Sequence, residues 1–161
     1  MHGDEISRER RHFLRFLAAS ALLVAVPSSS WAQEQRHITV WKDPNCGCCG
    51  GWVEHLRRNG FVATVIETSE VQAIKTERHV PTELTSCHTA EISGYTIEGH
   101  VPADAIRRLL SETPAGRGLA VPGMPIGSPG MEGGKPEVYD VILFGDNLTK
   151  LFARFLGERP V

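Results

Sequence analysis

Ile38-Thr39-Val40-Trp41-Lys42-Asp43-Pro44-Asn45-Cys46-Gly47-Cys48-Cys49-Gly50-Gly51-Trp52-Val53-Glu54-His55-Leu56-Arg57-Arg58 is the stretch from which the rest of the chain can be read. Ile38 to Trp41 is β-branched and aromatic, the composition of a strand. From Trp52 the apolar positions recur at helical spacing, with Trp52, Val53 and Leu56 on one face and Glu54, His55, Arg57 and Arg58 predicted toward water. A helix starting near Asn45 or Cys46 and ending at Asn59-Gly60 follows. Three of the four cysteines therefore fall on a strand-to-helix turn. There the unpaired N–H groups and the positive end of the helix dipole favour thiolate over thiol. Structural cysteines are usually dispersed, so three on one glycine-rich turn point to chemistry.

Working outward, Phe61 to Ile66 reads as a second strand. Strand, helix and strand within about 30 residues predict a parallel βαβ unit. Ser69 to His79 reads as a short helix, with Ser69 as its cap and Val71 and Ile74 inward. Thr85 to Ile92 is extended, Ser93-Gly94 is a tight turn, and Tyr95 to Ile97 returns as a hairpin. Pro102 suits the first position of a further helix, whose buried stripe is Ile106, Leu109 and Leu110. Residues 114–136 differ in kind, since 12 of these 23 are Gly or Pro. The apolar residues among them argue for an ordered loop packed on the domain, not a solvated linker. Val138 to Phe144 reads as a strand, Asp146-Asn147 as a turn, and Leu148 to Phe155 as a strand or amphipathic segment. The predicted class is α/β: a thioredoxin-like mixed sheet flanked by helices, with the Gly/Pro-rich loop and a C-terminal strand extension.

The N-terminus reads as a leader. Arg10-Arg11-His12-Phe13-Leu14-Arg15 gives a twin-arginine pattern, followed by the apolar run Phe16 to Val26 and a small-residue cleavage site, Ser30-Trp31-Ala32. Glu9 stands where that pattern ordinarily has Ser or Thr, so a Sec-type leader is the alternative. The apolar run is shorter than the ~20 residues a membrane helix needs. Residues 1–32 are therefore expected to be removed, leaving 33–161 as a single metal-binding domain in the periplasm. The leader takes four of 17 basic and three of 19 acidic side chains, which leaves a mature net charge of −3. That balance argues against nucleic acid or an anionic membrane as partner.

Cys46 and Cys49 form a Cys-x-x-Cys pair where thioredoxins carry theirs, but Cys48 between them invites wrong disulfides by exchange. The fourth cysteine, Cys87, lies far along the chain and can bridge only one thiol. Soft thiolates select Cu(I), zinc or iron–sulfur clusters. Four-cysteine zinc sites usually pair two separated knuckles. Crowded sulfurs suit bridging between several Cu(I) ions. Copper, preferably Cu(I), is the expected ligand of Cys46, Cys48, Cys49 and Cys87, with zinc as the alternative. Secondary candidates are His88, His100, Met124 and Met131. Neighbours on a strand point to opposite faces, so one of Cys87 and His88 is expected to face away from the site. His100 could instead hydrogen-bond the start of the following helix, and the methionines could simply fill core. His37, His55 and His79 are expected at the surface. No carboxylate pair or Ser-His-Asp order supports hydrolysis.

A set of motifs carries a resemblance. Cys46-Gly47-Cys48-Cys49-Gly50 with Trp52-Val53, Ser86-Cys87-His88-Thr89-Ala90, Gly94-Tyr95, Glu98-Gly99-His100-Val101-Pro102-Ala103 and Gly118 to Pro125 resemble an exported bacterial metal-binding family. It was long described as a domain of unknown function and includes the copper-resistance protein CopG. The likeness spans about residues 38–144. It implies a thioredoxin-like fold and copper held by the Cys-x-Cys-Cys cluster plus the distal cysteine, here Cys87.

Three functions are consistent with these observations. The first is a periplasmic protein that buffers copper, passes it to another periplasmic copper-handling protein, or changes its oxidation state. The second is a thiol-disulfide oxidoreductase using Cys46 and Cys49. The third is a structural zinc domain.

Overall fold

The computed structural model describes residues 36–161. The leader expected at 1–32 lies outside the described residues. Strand β1 (His37–Lys42) runs into helix α1 (Gly47–Arg58), then strand β2 (Val62–Glu67) and helix α2 (Val71–Glu77). A 3-10 turn at Thr82–Leu84 precedes strands β3 (His88–Ile92) and β4 (Tyr95–Glu98). Helix α3 (Ala103–Glu112) follows, then β5 (Gly118–Ala120), β6 (Val138–Gly145), β7 (Leu148–Leu156) and β8 (Arg159–Pro160). The strands form one eight-stranded mixed sheet in the order β2-β1-β3-β4-β5-β6-β7-β8. β1 and β2 are parallel, as the βαβ spacing requires, and β3 and β4 form the expected hairpin. Ser93 and Gly94 both take positive φ in its turn, the backbone a two-residue hairpin demands.

Register shows how the sheet sorts its two faces. Val40 pairs Ala90, Ala90 pairs Ile97, Ile97 pairs Leu119 and Leu119 pairs Leu143. This row lies on one face, and its residues share a single buried cluster with Trp52, Val53 and Leu56 of α1 and with Ile106 and Leu109 of α3. Each buried aliphatic side chain there contributes roughly 1.5–3 kcal/mol by leaving water. One residue along, the opposite face carries Thr89 paired with Glu98. Against that face lies Lys75 of α2, and beside it the smaller cluster of Val80, Leu84, Ala120 and Phe144.

Three local expectations change. Ser69 does not cap α2: Glu70 holds the cap position without a side-chain bond, and its N–H is met by Thr68 Oγ1 at 3.0 Å. In α2 the buried pair is Val71 and Lys75, while Ile74 is half-buried. Pro102 sits one place before α3, as its cap, with extended backbone. The Gly/Pro-rich segment contributes β5, and residues 121–137 then run without helix or strand. Ser128 and Pro129 in that run are buried. Gly130 (φ +85°) lies so close to α1 that a Cβ would come within 2.5 Å of the Cys48 carbonyl oxygen and 2.6 Å of the Trp52 nitrogen.

Candidate metal centre

The turn before α1 is shaped by Asp43. Its carboxylate accepts the Asn45 N–H at 2.8 Å, and its carbonyl accepts the Cys46 N–H at 3.0 Å. Cys46 then takes the N-cap position, and Cys48 and Cys49 fall in the first turn. Cys87 arrives from the far side, in the last residue before β3. The four sulfurs all lie within 4.8 Å of one another. Cys46 and Cys49 are joined as a disulfide, while Cys48 and Cys87 are free thiols. Cys48 Sγ lies 3.6 Å from Cys46 Sγ and 3.8 Å from Cys87 Sγ. The structure thus brings together all four cysteines predicted from sequence, with two of them already bonded.

Cys87 lies just before β3, outside the helix start to which the thiolate-favouring field belongs. Burial and the neighbouring Cys48 push its thiol up to about 11. A soft cation would have to displace that proton, and the pull of a metal on sulfur is what makes such displacement favourable.

Cys87 is also the corner of a second group of donors, with His88 and His100, whose ligand atoms again lie within 4.8 Å of one another. His100 Nε2 is 3.0 Å from Cys87 Sγ and His88 Nδ1 is 3.6 Å from it. The expectation that Cys87 and His88 point apart fails because Cys87 precedes the strand, so strand alternation does not constrain it. His88 shares the face of Ala90 and Ile92 and lies against Trp52, with ring centroids 4.3 Å apart. Trp52 is itself fixed by donating Nε1–H to the Val101 carbonyl at 2.9 Å.

His100 donates Nδ1–H to the Pro129 carbonyl at 2.8 Å, which leaves the Nε2 lone pair facing Cys87. It does not cap α3. The Ala103 N–H goes instead to His55 Nε2 at 3.0 Å. His55, expected at the surface, is buried, and its Nδ1–H meets Glu158 at 3.0 Å. Burial lowers the pKa of both His88 and His100, His88 the more strongly, with their mutual repulsion and Lys75 adding to the effect on His88. Both rings are neutral at pH 7. His88 Nε2 is buried without a hydrogen-bond partner.

Met124 is exposed and Met131 half-buried, its N–H bonded to the Ser128 carbonyl. His37 and His79 are exposed as expected.

Behind the site lies a buried ion pair that was not foreseen. Glu98, fully buried, accepts from Lys75 Nζ at 2.6 Å and from the Ser86 N–H at 2.6 Å through Oε1, and from Thr89 Oγ1 at 2.7 Å through Oε2. Lys75 also donates to Thr89 Oγ1 at 3.0 Å. The Ser86 contact anchors the residue before Cys87. A signal existed in the hairpin, whose two-residue turn sets Thr89 opposite Glu98 on the face away from Ala90. Lys75 could not be assigned to them from sequence.

Fold and site together describe an α/β protein with a soft-donor cluster at a strand-to-helix turn. A family described as a protein of unknown function, DUF411, matches residues 84–131. Two solved structures of the copper resistance protein CopG, Form 1 and Form 2, are similar at 42% identity. Form 1 is covered in full by 77% of this chain with a TM-score of 0.71, and Form 2 to 97% by 74% of it with a TM-score of 0.69. The chain belongs to the family of that protein. No curated protein matches it. Among the described residues no helix is long and apolar enough to cross a membrane.

Proposed function

We propose that the protein is a periplasmic copper-binding protein of copper resistance or homeostasis, which holds Cu(I) through Cys46, Cys48, Cys49 and Cys87 when all four are reduced. The observation that carries this is the convergence of four sulfurs within 4.8 Å, one from a residue 38 positions beyond the cluster. The residues fit the cargo. Sulfur is a soft donor, adjacent thiolates can bridge several Cu(I) ions, and two neutral imidazoles stand beside them. The parallel β1–α1–β2 unit, the antiparallel hairpin and α3 are what a thioredoxin-like fold would supply, and they support that finer assignment. Residues 1–32 act as a cleaved leader in this reading. The test is the metal content of the protein recovered from the periplasmic fraction of copper-stressed cells. More than one copper per chain is expected. Protein confined to the cytoplasm, or free of copper, would overturn the proposal.

The Cys46–Cys49 disulfide favours a second reading, a thiol-disulfide oxidoreductase with Cys46 and Cys49 as the redox pair. Reduction of insulin without metal, abolished by Cys46→Ser, would place this reading first.

A further inference from the structure

Closing the Cys46–Cys49 disulfide removes two sulfurs from the cluster, yet the donors on the other side of Cys87 are unaffected. From that arrangement we infer that the disulfide form carries a separate site for one borderline divalent ion such as Zn2+, with Cys87 Sγ, His88 and His100 Nε2 as ligands. This deepens the proposed function by assigning the oxidised state of the same pocket a different metal preference.

The distances fit one ion. A tetrahedral zinc, at about 2.3 Å from sulfur and 2.0–2.1 Å from nitrogen, holds S and N about 3.5 Å apart. Cys87 Sγ stands 3.6 Å from His88 Nδ1 and 3.0 Å from His100 Nε2. The ligating set needs only a small opening toward His100. The two rings are arranged edge to face with centroids 5.0 Å apart, so both can address a point near the sulfur.

The surroundings are those of a ligand histidine. The Pro129 carbonyl accepts from the far nitrogen of His100, fixing its tautomer and directing the lone pair inward. Gly130, pressed against α1, holds that carbonyl in place. His88 is fully buried, and its Nδ1 faces the Cys87 thiol at 3.6 Å. Once the thiol proton is displaced, the His88 Nδ1 lone pair and the Cys87 sulfur can address the same cation. The donor chemistry also differs from that of the four sulfurs. One thiolate and two neutral imidazoles suit a single borderline ion, whereas four thiolates suit several Cu(I) ions.

The experiment uses the mature chain with its disulfide intact, verified by counting two free thiols. Zinc is titrated against a competing chelator, and Co2+ serves as a chromophoric probe of the donor set. One zinc per chain is expected, with tetrahedral Co2+ bands and a sulfur charge-transfer band. His100→Gln and His88→Gln should each weaken zinc by on the order of 100-fold, more than loss of an outer partner does. The double variant Cys46→Ser/Cys49→Ser should keep its zinc. If His88→Gln unfolds, as judged by circular dichroism, His100→Gln and the double cysteine variant decide. An oxidised chain that binds no zinc, a His100→Gln chain that binds it as well as wild type, or loss of zinc in the double cysteine variant would each overturn the inference. The reduced chain's copper content is read separately. Zinc in the oxidised chain without copper in the reduced one would overturn the proposed function and leave this inference standing.

Discussion

The two sides of Cys87 are built from different materials. On one side, three sulfurs come from the N-cap and first turn of a single local element, α1, and three of the four cysteines are half-buried. On the other side, two imidazoles come from the open end of the β3–β4 hairpin, His88 at the start of β3 and His100 two residues past β4, and are fully buried. The sulfur side is local, accessible and able to change its own covalent state. The imidazole side is assembled by tertiary packing, with its geometry held by Trp52, Pro129 and the neighbouring core. A site made of sequence neighbours can be remodelled by one bond. A site made of distant residues changes only if the fold does.

Substitutions can separate the two sides. The largest effect is expected for Cys48→Ser, which touches the sulfur side alone. Serine is a hard, weakly acidic donor that does not replace thiolate for Cu(I). In the reduced protein most of the bound copper should be lost, and Cys87→Ser should do the same. The double variant should lose little more, because partners in one site are not additive. Anaerobic copper titration with elemental analysis measures this. Wild-type stoichiometry in Cys48→Ser would place the redox reading first. Zinc binding by the oxidised protein should survive Cys48→Ser and fail in Cys87→Ser, since only Cys87 belongs to both sides.

Next in size is Glu98→Ala, which acts on the shared residue. It removes the acceptor for the Ser86 N–H and for Thr89, and it leaves Lys75 buried without its partner. Breaking a buried pair from one side costs about 3–5 kcal/mol. Urea unfolding should show a loss of that order, and Lys75→Met added to Glu98→Ala should recover part of it. A loss under about 1 kcal/mol would mean that the pair does not organise the segment before Cys87.

The smallest effect concerns His55, which belongs to neither side but ties α1 to α3 and to Glu158. Burial lowers its pKa below the ordinary value of 6.5, against the opposing pull of Glu158. The folded chain then binds fewer protons at this residue than the unfolded chain does. Its contribution is present above about pH 6.5 and is lost as the pH falls through the lowered value. His88 and His100 act in the same direction. Metal-free protein should therefore lose stability on acidification below pH 6.5, by up to about 1.4 kcal/mol per pH unit for each histidine. His55→Gln should flatten that dependence by one histidine's share in chemical denaturation at a series of pH values. An unchanged slope would show that His55 does not take part.

Much of the molecule is legible in the sequence because its signals are local. The strand, cysteine turn and helix from Ile38 to Arg58 follow from β-branching, helical spacing and the stop at Asn59-Gly60. The hairpin follows from Ser93-Gly94, and the four sulfurs follow from residue type and spacing. The preference for copper follows from the crowding of soft thiolates, and the family likeness agrees with it. What tertiary structure alone decided is how distant residues are placed. His55 looks like a surface residue on its own helix because its partners, the Ala103 N–H and Glu158, lie 48 and 103 residues away. Lys75 looks solvated until the sheet brings Glu98 beneath it. His88 and Cys87 share a site only because the strand begins at His88, and element ends are set by the neighbouring strand's hydrogen bonds, not by the residues themselves. A sequence fixes the donors it places side by side, while burial, charge pairing and the choice of partner depend on surfaces that meet only once the sheet has formed.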